Sequence, residues 1–331
     1  MQDLKLYPIS ISETIRARSI VRQFVRPTQM LYSEGLSRLI GADIFIKHEN
    51  HNPTGTFKIR GGTNLMFHLK KSGIKGVTTF STGNHGSSIA TAANWFGLPA
   101  VIVVPEGNNP VKNRAILECG AELIEAGTTF EEASQTVDKL CVERSLYYAH
   151  PANEPLLING VGTEFLEIIE DLPDIDFMIV PLGAGSEAAA AITTLHAYRR
   201  DIKVVAVQAN ASAAAHSSWK KGEICDGPNG TFAGGFATGT AYDMPIEIYK
   251  DCLDDFLLLT EDEIYDGIAL AFYHTRNLAE GAGAASIMAA YKLRDKLKGK
   301  KVVLQMSGCN ASPQEIEAAC QRRAFRSGDP A

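Results

Sequence analysis

The run Phe57-Lys58-Ile59 sets an amine between two apolar side chains, directly after the turn-forming stretch Asn52-Pro53-Thr54-Gly55-Thr56. A lone lysine is ordinarily a solvated surface charge. One flanked in this way can be partly desolvated, which lowers its pKa and makes the neutral amine a nucleophile or a base. Three other segments share a layout in which an apolar run ends, small and polar residues follow, and a helix-like pattern begins. In open α/β sheets ligands gather at such places, and the amides at the next helix N-terminus attract anions.

The segment Ser81-Thr82-Gly83-Asn84-His85-Gly86 packs hydroxyls, an amide and an imidazole around two glycines. It suits a carboxylate held by backbone and side-chain donors, or an Asx-type turn with a helix cap. In Pro181-Leu182-Gly183-Ala184-Gly185-Ser186-Glu187, small residues let the backbone approach a phosphate, and Ser186 can add a hydroxyl. Gly183, Gly185 and Ala188 also fit the G-x-G-x-x-A of a dinucleotide site, and a plain tight turn is the third reading. A dinucleotide site calls for an acid about 20 positions on, where this chain has Gln208-Ala209-Asn210. The last segment, Gln305-Met306-Ser307-Gly308-Cys309-Asn310, reads as a strand ending in a turn. Cys309 has no cationic neighbour in sequence to lower its pKa, so it reads as packing.

These segments need a scaffold, and the chain pattern supplies one. Strands are expected at Asp43–His48, Val77–Ser81, Pro99–Pro105, Phe177–Pro181, Lys203–Gln208, Phe256–Leu259 and Lys301–Met306. Several are continuously apolar, as parallel strands covered on both faces are. Helices are expected at Phe57–Lys71, Ser88–Phe96, Val111–Cys119, Phe130–Glu143, Thr163–Asp171, Glu187–Arg199 and Glu261–Thr275. Thr260 and Glu263 have capping-box spacing, and Gly97 and Gly120 sit where helices stop. Right-handed crossovers then give α/β layering. The glycine-rich stretch Lys220–Gly239 reads as a long irregular connection of the kind that is usually functional or mobile.

Composition bounds the rest. A chain of 331 residues with 45% hydrophobic and 21% charged residues has material for about two domains, which excludes disorder, a collagen-like repeat and a small disulfide module. Net charge −6 and a pI near 5.8 argue against nucleic acid or an anionic membrane as partner. Six scattered cysteines without a C-x-x-C pair show neither zinc spacing nor a disulfide framework. The N-terminus lacks the apolar run of a signal peptide, and no apolar run is long enough for a bilayer. A reduced, cytoplasmic protein is expected.

Taken together and in order, the segments resemble the pyridoxal-phosphate enzymes of the tryptophan-synthase-β type, specifically the serine/threonine dehydratase and serine racemase group. The matching stretches are Thr54-Gly55-Thr56-Phe57-Lys58-Ile59-Arg60-Gly61, Ser81–Gly86, His150-Pro151-Ala152-Asn153-Glu154-Pro155, Glu280-Gly281-Ala282-Gly283-Ala284 and Ser307-Gly308-Cys309-Asn310. The resemblance runs from about Ile9 to Asn310. It implies two open twisted, mostly parallel-sheet α/β domains with helices on both faces. Residues 1–68 and 154–331 would form a large cofactor-binding domain, and 69–153 a small mobile domain carrying the carboxylate loop.

The resemblance also implies roles. Lys58 would form the Schiff base with pyridoxal 5′-phosphate and then act as base at the substrate Cα. Phe57 would lie against the ring and Asn84 would bond its 3′-oxygen. Gly183, Ala184, Gly185 and Ser186 would hold the phosphate. Ser307 would meet the pyridine nitrogen and leave it neutral, and Glu280 would belong to the same cofactor site. Ser81, Thr82, Asn84 and His85 would receive the substrate carboxylate. The implied activity is dehydration of a β-hydroxy α-amino acid, L-threonine or L-serine by default, by a homodimer that takes a small amino acid as substrate.

Three departures from the group stand out. Ala184 and Ser186 interrupt a phosphate loop that is usually four glycines. Gly234, in Thr231-Phe232-Ala233-Gly234-Gly235, stands where the group has the aspartate of a divalent-metal site, so no metal is expected there. Thr82 stands where dehydratases have alanine and racemases serine. Its hydroxyl either bonds within its own loop or returns a proton from the second face, giving racemisation. A Rossmann-like nucleotide binder is the competing class. The chain stops soon after Asn310, where biosynthetic threonine dehydratases carry a regulatory domain, which favours a catabolic or specialised enzyme.

Overall fold

The computed structural model describes residues 6–108, 110–127 and 130–331. Residues 1–5, read above for a leader, lie outside the described residues. Ten strands occur among those described: β1 (Met30–Tyr32), β2 (Asp43–Lys47), β3 (Val77–Phe80), β4 (Ala100–Val104), β5 (Glu122–Glu125), β6 (Tyr147–Tyr148), β7 (Phe177–Pro181), β8 (Lys203–Ala209), β9 (Asp255–Leu259) and β10 (Lys301–Gln305). They form two sheets, and the chain divides into two compact units, Met1–Arg26 with Lys58–Thr163 and Pro27–Phe57 with Glu164–Ala331.

The smaller unit carries four parallel strands in the order β5-β4-β3-β6. Its central strand shows why an unbroken apolar run was needed. Ile102 and Val104 face a core with Leu65, Met66, Leu69 and Ile89. Val101 and Val103 face the opposite core, with Ala133, Val137 and Leu140. Successive side chains point to opposite faces, so a strand covered on both sides has no room for a polar position.

The larger unit carries six strands in the order β1-β2-β10-β7-β8-β9, all parallel except β1, which runs antiparallel to β2. Every residue of β7 is buried. Ile44, Ile46, Ile179, Val205 and Val207 pack with Leu270 and Ile287 of the helices Glu261–Thr275 and Gly281–Lys292. The fold class is therefore α/β, with two mostly parallel sheets. Register places Gln305 beside Lys47 and Pro181 beside Val207, so these strands run out at one edge of the sheet. Their loops carry the candidate residues.

All seven expected strands and all seven expected helices are present, with ends shifted by a few residues. The capping box of Thr260 and Glu263 is formed, and Gly97 and Gly120 adopt positive φ. The helix expected from Ser88 starts at Asn84 instead, so its first turn consumes half of the polar loop. Strands β1, β5 and β6 were not expected. Each is short and lies at a sheet edge, where one flank lacks a hydrogen-bonded neighbour and sequence patterning is weak. Between Gly222 and Tyr242 the chain is irregular apart from one 3-10 turn at Gly234–Phe236.

Candidate active site

In the larger unit the site is built from the loop after β10 and the segment before Lys58. The Met306 amide donates to the Lys47 carbonyl at 3.0 Å, and the Asn50 amide donates to the Met306 carbonyl at 2.9 Å. Thr56 bridges Gly308, the Phe57 amide donates to the Ser307 carbonyl at 3.1 Å, and the Cys309 amide donates to the Gly55 carbonyl at 2.9 Å. The backbone of residues 306–309 is thus locked against 50–57. Gly55 needs its φ of 68° there, and a Cβ on it would lie 3.0 Å from Cys309 Sγ. Lys58 is joined to this ladder by its peptide bond to Phe57.

Ser307 is 5% exposed and Glu280 7%. The Glu280 amide donates to the Gly308 carbonyl at 3.2 Å. A Cβ on Gly283 would stand 2.1 Å from that same carbonyl oxygen. Glycine is required there by close backbone approach. Burial and the neighbouring Glu280 carboxylate push the Cys309 thiol up from its ordinary pKa, and its Sγ points to the Asn50 carbonyl. Both features are those of a packed thiol.

The loop after β7 leads into the helix Ser186–Tyr198. Gly185, at φ 90°, is its N-cap, and the first intrahelical bond runs from the Ala189 amide to the Gly185 carbonyl at 3.0 Å. The amides of the preceding turn therefore stand outside the helix ladder. Ser186 is buried, Ala184 half-buried. A Cβ on Gly183 would come 2.0 Å from the Gly235 carbonyl oxygen.

In the smaller unit, Lys58 opens the helix Lys58–Lys71 and is half-buried. The loop after β3 is organised by Ser81, whose hydroxyl accepts from the Gly83 and Gly86 amides at 3.3 and 2.9 Å. Among the described residues no hydrogen bond ties the Thr82 hydroxyl to this loop. Asn84 is the first residue of the helix Asn84–Trp95 and is half-buried. His85 is buried, and its Nε2 lies 2.9 Å from the Ala149 carbonyl oxygen. Burial first, with the Lys58 charge adding to it, holds the imidazole down at about 3. The ring is neutral, Nε2 carries the proton, and Nδ1 is a buried acceptor without a hydrogen-bond partner.

A lysine following a backbone-pinned loop, an anion cradle at a helix N-terminus and a buried serine at a neighbouring strand end are the parts the sequence pointed to. A family model described as pyridoxal-phosphate dependent enzyme matches residues 21–308. The chain belongs to this family. An L-threonine ammonia-lyase of Thermotoga maritima is 33% identical over 323 residues, 97% of this chain and 80% of that protein. Among solved structures, maize serine racemase superposes with a TM-score of 0.89 at 26% identity, covering 94% of this chain and 96% of that one. The processed form of threonine deaminase isoform 2 from Solanum lycopersicum gives 0.87 at 27%, covering 95% and 94%.

The protein is a pyridoxal-phosphate-dependent lyase, and its residues fit that cofactor. Amides outside the helix ladder at a helix N-terminus suit a phosphate, and Lys58 is the half-buried amine that the motif order supplies. Among the described residues no cluster of three or more His, Cys, Asp or Glu could hold a metal ion, and no helix is long and apolar enough to cross a membrane. Gly234 lies in the 3-10 turn Gly234–Phe236, which packs against Gly183.

Sequence reasoning missed the residues that brace the Lys58 turn. Glu49 is fully buried and accepts from the Asn52 side chain at 2.7 Å and the Thr28 hydroxyl at 2.6 Å. Buried Lys47 donates to Glu167 at 2.7 Å and to the Thr28 carbonyl at 2.9 Å. The available signal was a cluster of charged and polar residues, Lys47 to Asn50, closing an apolar strand. Buried charges persist only when paired.

Proposed function

We propose that the enzyme dehydrates a small β-hydroxy α-amino acid, L-threonine or L-serine by default, to a 2-keto acid and ammonia. Lys58 takes the Cα proton; the β-hydroxyl departs with a proton as water, and the enamine so released takes up water to give the keto acid and ammonia. The bound cofactor supplies the conjugated ring that accepts the electron pair left at Cα. The observation that carries this reading is the Phe57–Ser307 backbone bond, which ties the chain next to Lys58 to the loop bearing the proposed pyridine-nitrogen partner.

The remaining roles follow the same reading. The turn Gly183–Ser186 would hold the phosphate, Phe57 would flank the ring, Asn84 would bond the 3′-oxygen, Ser307 would meet the ring nitrogen, and Glu280, whose amide is tied to the Ser307 loop, would belong to the same cofactor site. Ser81, Thr82, Asn84 and His85 form the loop for the substrate carboxylate, His85 as a neutral ring. A cytoplasmic homodimer accompanies this reading, supported by the family resemblance. Keto-acid release across β-hydroxy amino acids of graded size tests it. Release from threonine or serine is expected, and no release from any member of the panel overturns the proposal.

A further inference from the structure

The phosphate loop does not stand alone. The 3-10 turn Gly234–Phe236 lies on it so closely that a side-chain carbon on Gly183 would meet the Gly235 carbonyl at 2.0 Å. The other side of this turn rests on the helix Gly281–Lys292. A Cβ on Gly235 would stand 2.6 Å from Ala282 Cβ, and one on Gly281 would stand 2.8 Å from Ala233 Cβ. That helix start in turn abuts Gly308, next to Ser307. The turn is therefore a spacer whose position sets both ends of the cofactor site within this unit.

One carboxylate holds the spacer in place. Glu261, the first residue of the helix Glu261–Thr275, accepts from the Thr231 hydroxyl at 3.0 and 3.1 Å and from the Phe232 amide at 2.9 Å. Thr231 Oγ1 passes the restraint on by accepting from the Ala233 amide at 3.1 Å. The Phe236 amide then donates to the Ala233 carbonyl at 2.8 Å, closing the turn. Phe232 is stacked on Tyr265 of the same helix, with centroids 4.0 Å apart and planes 2° from parallel.

We infer that Glu261 is a positioning residue for the cofactor: through Thr231 and the Phe232 amide it presses the Gly234–Phe236 turn against the phosphate loop, and so sets affinity for pyridoxal phosphate. This rests on the phosphate role proposed for Gly183–Ser186. A carboxylate is not itself required by the geometry. A glutamine can accept from the Phe232 amide with its oxygen and donate to Thr231 with its nitrogen.

The test is titration of cofactor-stripped wild type, Glu261→Ala, Glu261→Gln and Thr231→Val with pyridoxal phosphate. Bound cofactor is read by its visible absorbance, and each apo protein is melted in parallel. Glu261→Ala is expected to bind about ten-fold more weakly and Glu261→Gln within about two-fold of wild type. Thr231→Val, a near-isosteric change that keeps the fold testable should Glu261→Ala not fold, is expected to weaken binding several-fold. Affinities of Glu261→Ala and Thr231→Val equal to wild type overturn the inference. So does a Glu261→Gln protein as weak as the alanine variant with an unchanged melting temperature. The proposed reaction fails separately: a wild type that binds cofactor with this order of affinities but releases no keto acid refutes the substrate reading alone.

Discussion

The Phe57 amide donates to the Ser307 carbonyl at 3.1 Å. Two residues 250 positions apart thereby fix the backbone on the N-terminal side of Lys58 to the loop that carries the buried serine. The lysine is held by main chain, which no side-chain substitution nearby removes, so its loss should be chemical and not structural. Lys58→Ala is expected to lose the lysine-linked cofactor absorbance and at least the 10²–10⁴-fold that a positioned base typically contributes. Its melting temperature should stay near that of wild type. Keto-acid release and a visible spectrum measure the first two, and wild-type activity in this variant would remove Lys58 from the reaction.

Gly183 offers a sharper steric test. Any Cβ there would sit 2.0 Å from a backbone oxygen of the neighbouring turn, and a main-chain atom cannot swing aside as a side chain can. Overpacking of this kind costs about 1–3 kcal/mol. Gly183→Ala is expected to lower the melting temperature and weaken pyridoxal phosphate binding together. Ala184, half-buried beside it, should tolerate change to glycine with little effect on either. Equal behaviour of the two variants in a cofactor titration would contradict the packing described.

What sequence could and could not reveal follows from how local each signal is. Val101–Val104 and Phe177–Val180 are apolar on both faces, so a buried parallel strand was the natural reading, and Thr260 with Glu263 announced a helix start that is formed. The helix Gly281–Lys292 escaped notice because Gly281 and Gly283 are poor helix formers. They are retained for contacts with Ala233 and Gly308, residues remote in sequence. The loop Ser81–Gly86 was legible as a polar site, yet its internal division was not: Ser81 organises the loop amides while Thr82 does not. Glu261 gave no chemical hint at all, since its partners Thr231 and Phe232 lie thirty positions upstream.

That division bears on stereochemistry. Had Thr82 bonded its own loop, its hydroxyl would be occupied; the loop amides go to Ser81 instead. Elimination needs only the lysine face, so Thr82→Val is expected to keep keto-acid release within a few-fold of wild type. Chiral chromatography of residual L-serine tests the unoccupied hydroxyl: D-serine that accumulates with wild type and vanishes with Thr82→Val assigns it a proton-donating role on the opposite face, and a single enantiomer throughout turnover removes that role.

The neutral His85 has a consequence for acid stability. Burial and the Lys58 charge hold its pKa at about 3 in the folded protein, against an ordinary 6.5. Between those values the unfolded chain binds a proton that the folded one does not. Stability therefore falls as pH drops from about 6.5 toward about 3, by at most about 1.4 kcal/mol per pH unit for this group. His85→Gln keeps a donor for the Ala149 carbonyl and removes the titration. Its urea-unfolding free energy should decline less steeply than that of wild type between pH 6.5 and 4.5. The other histidines that burial depresses, His48 at about 4 and His68, His196, His216 and His274, are common to both proteins and cancel in the comparison. Parallel pH slopes for the two would mean that the imidazole titrates alike folded and unfolded, contrary to its burial.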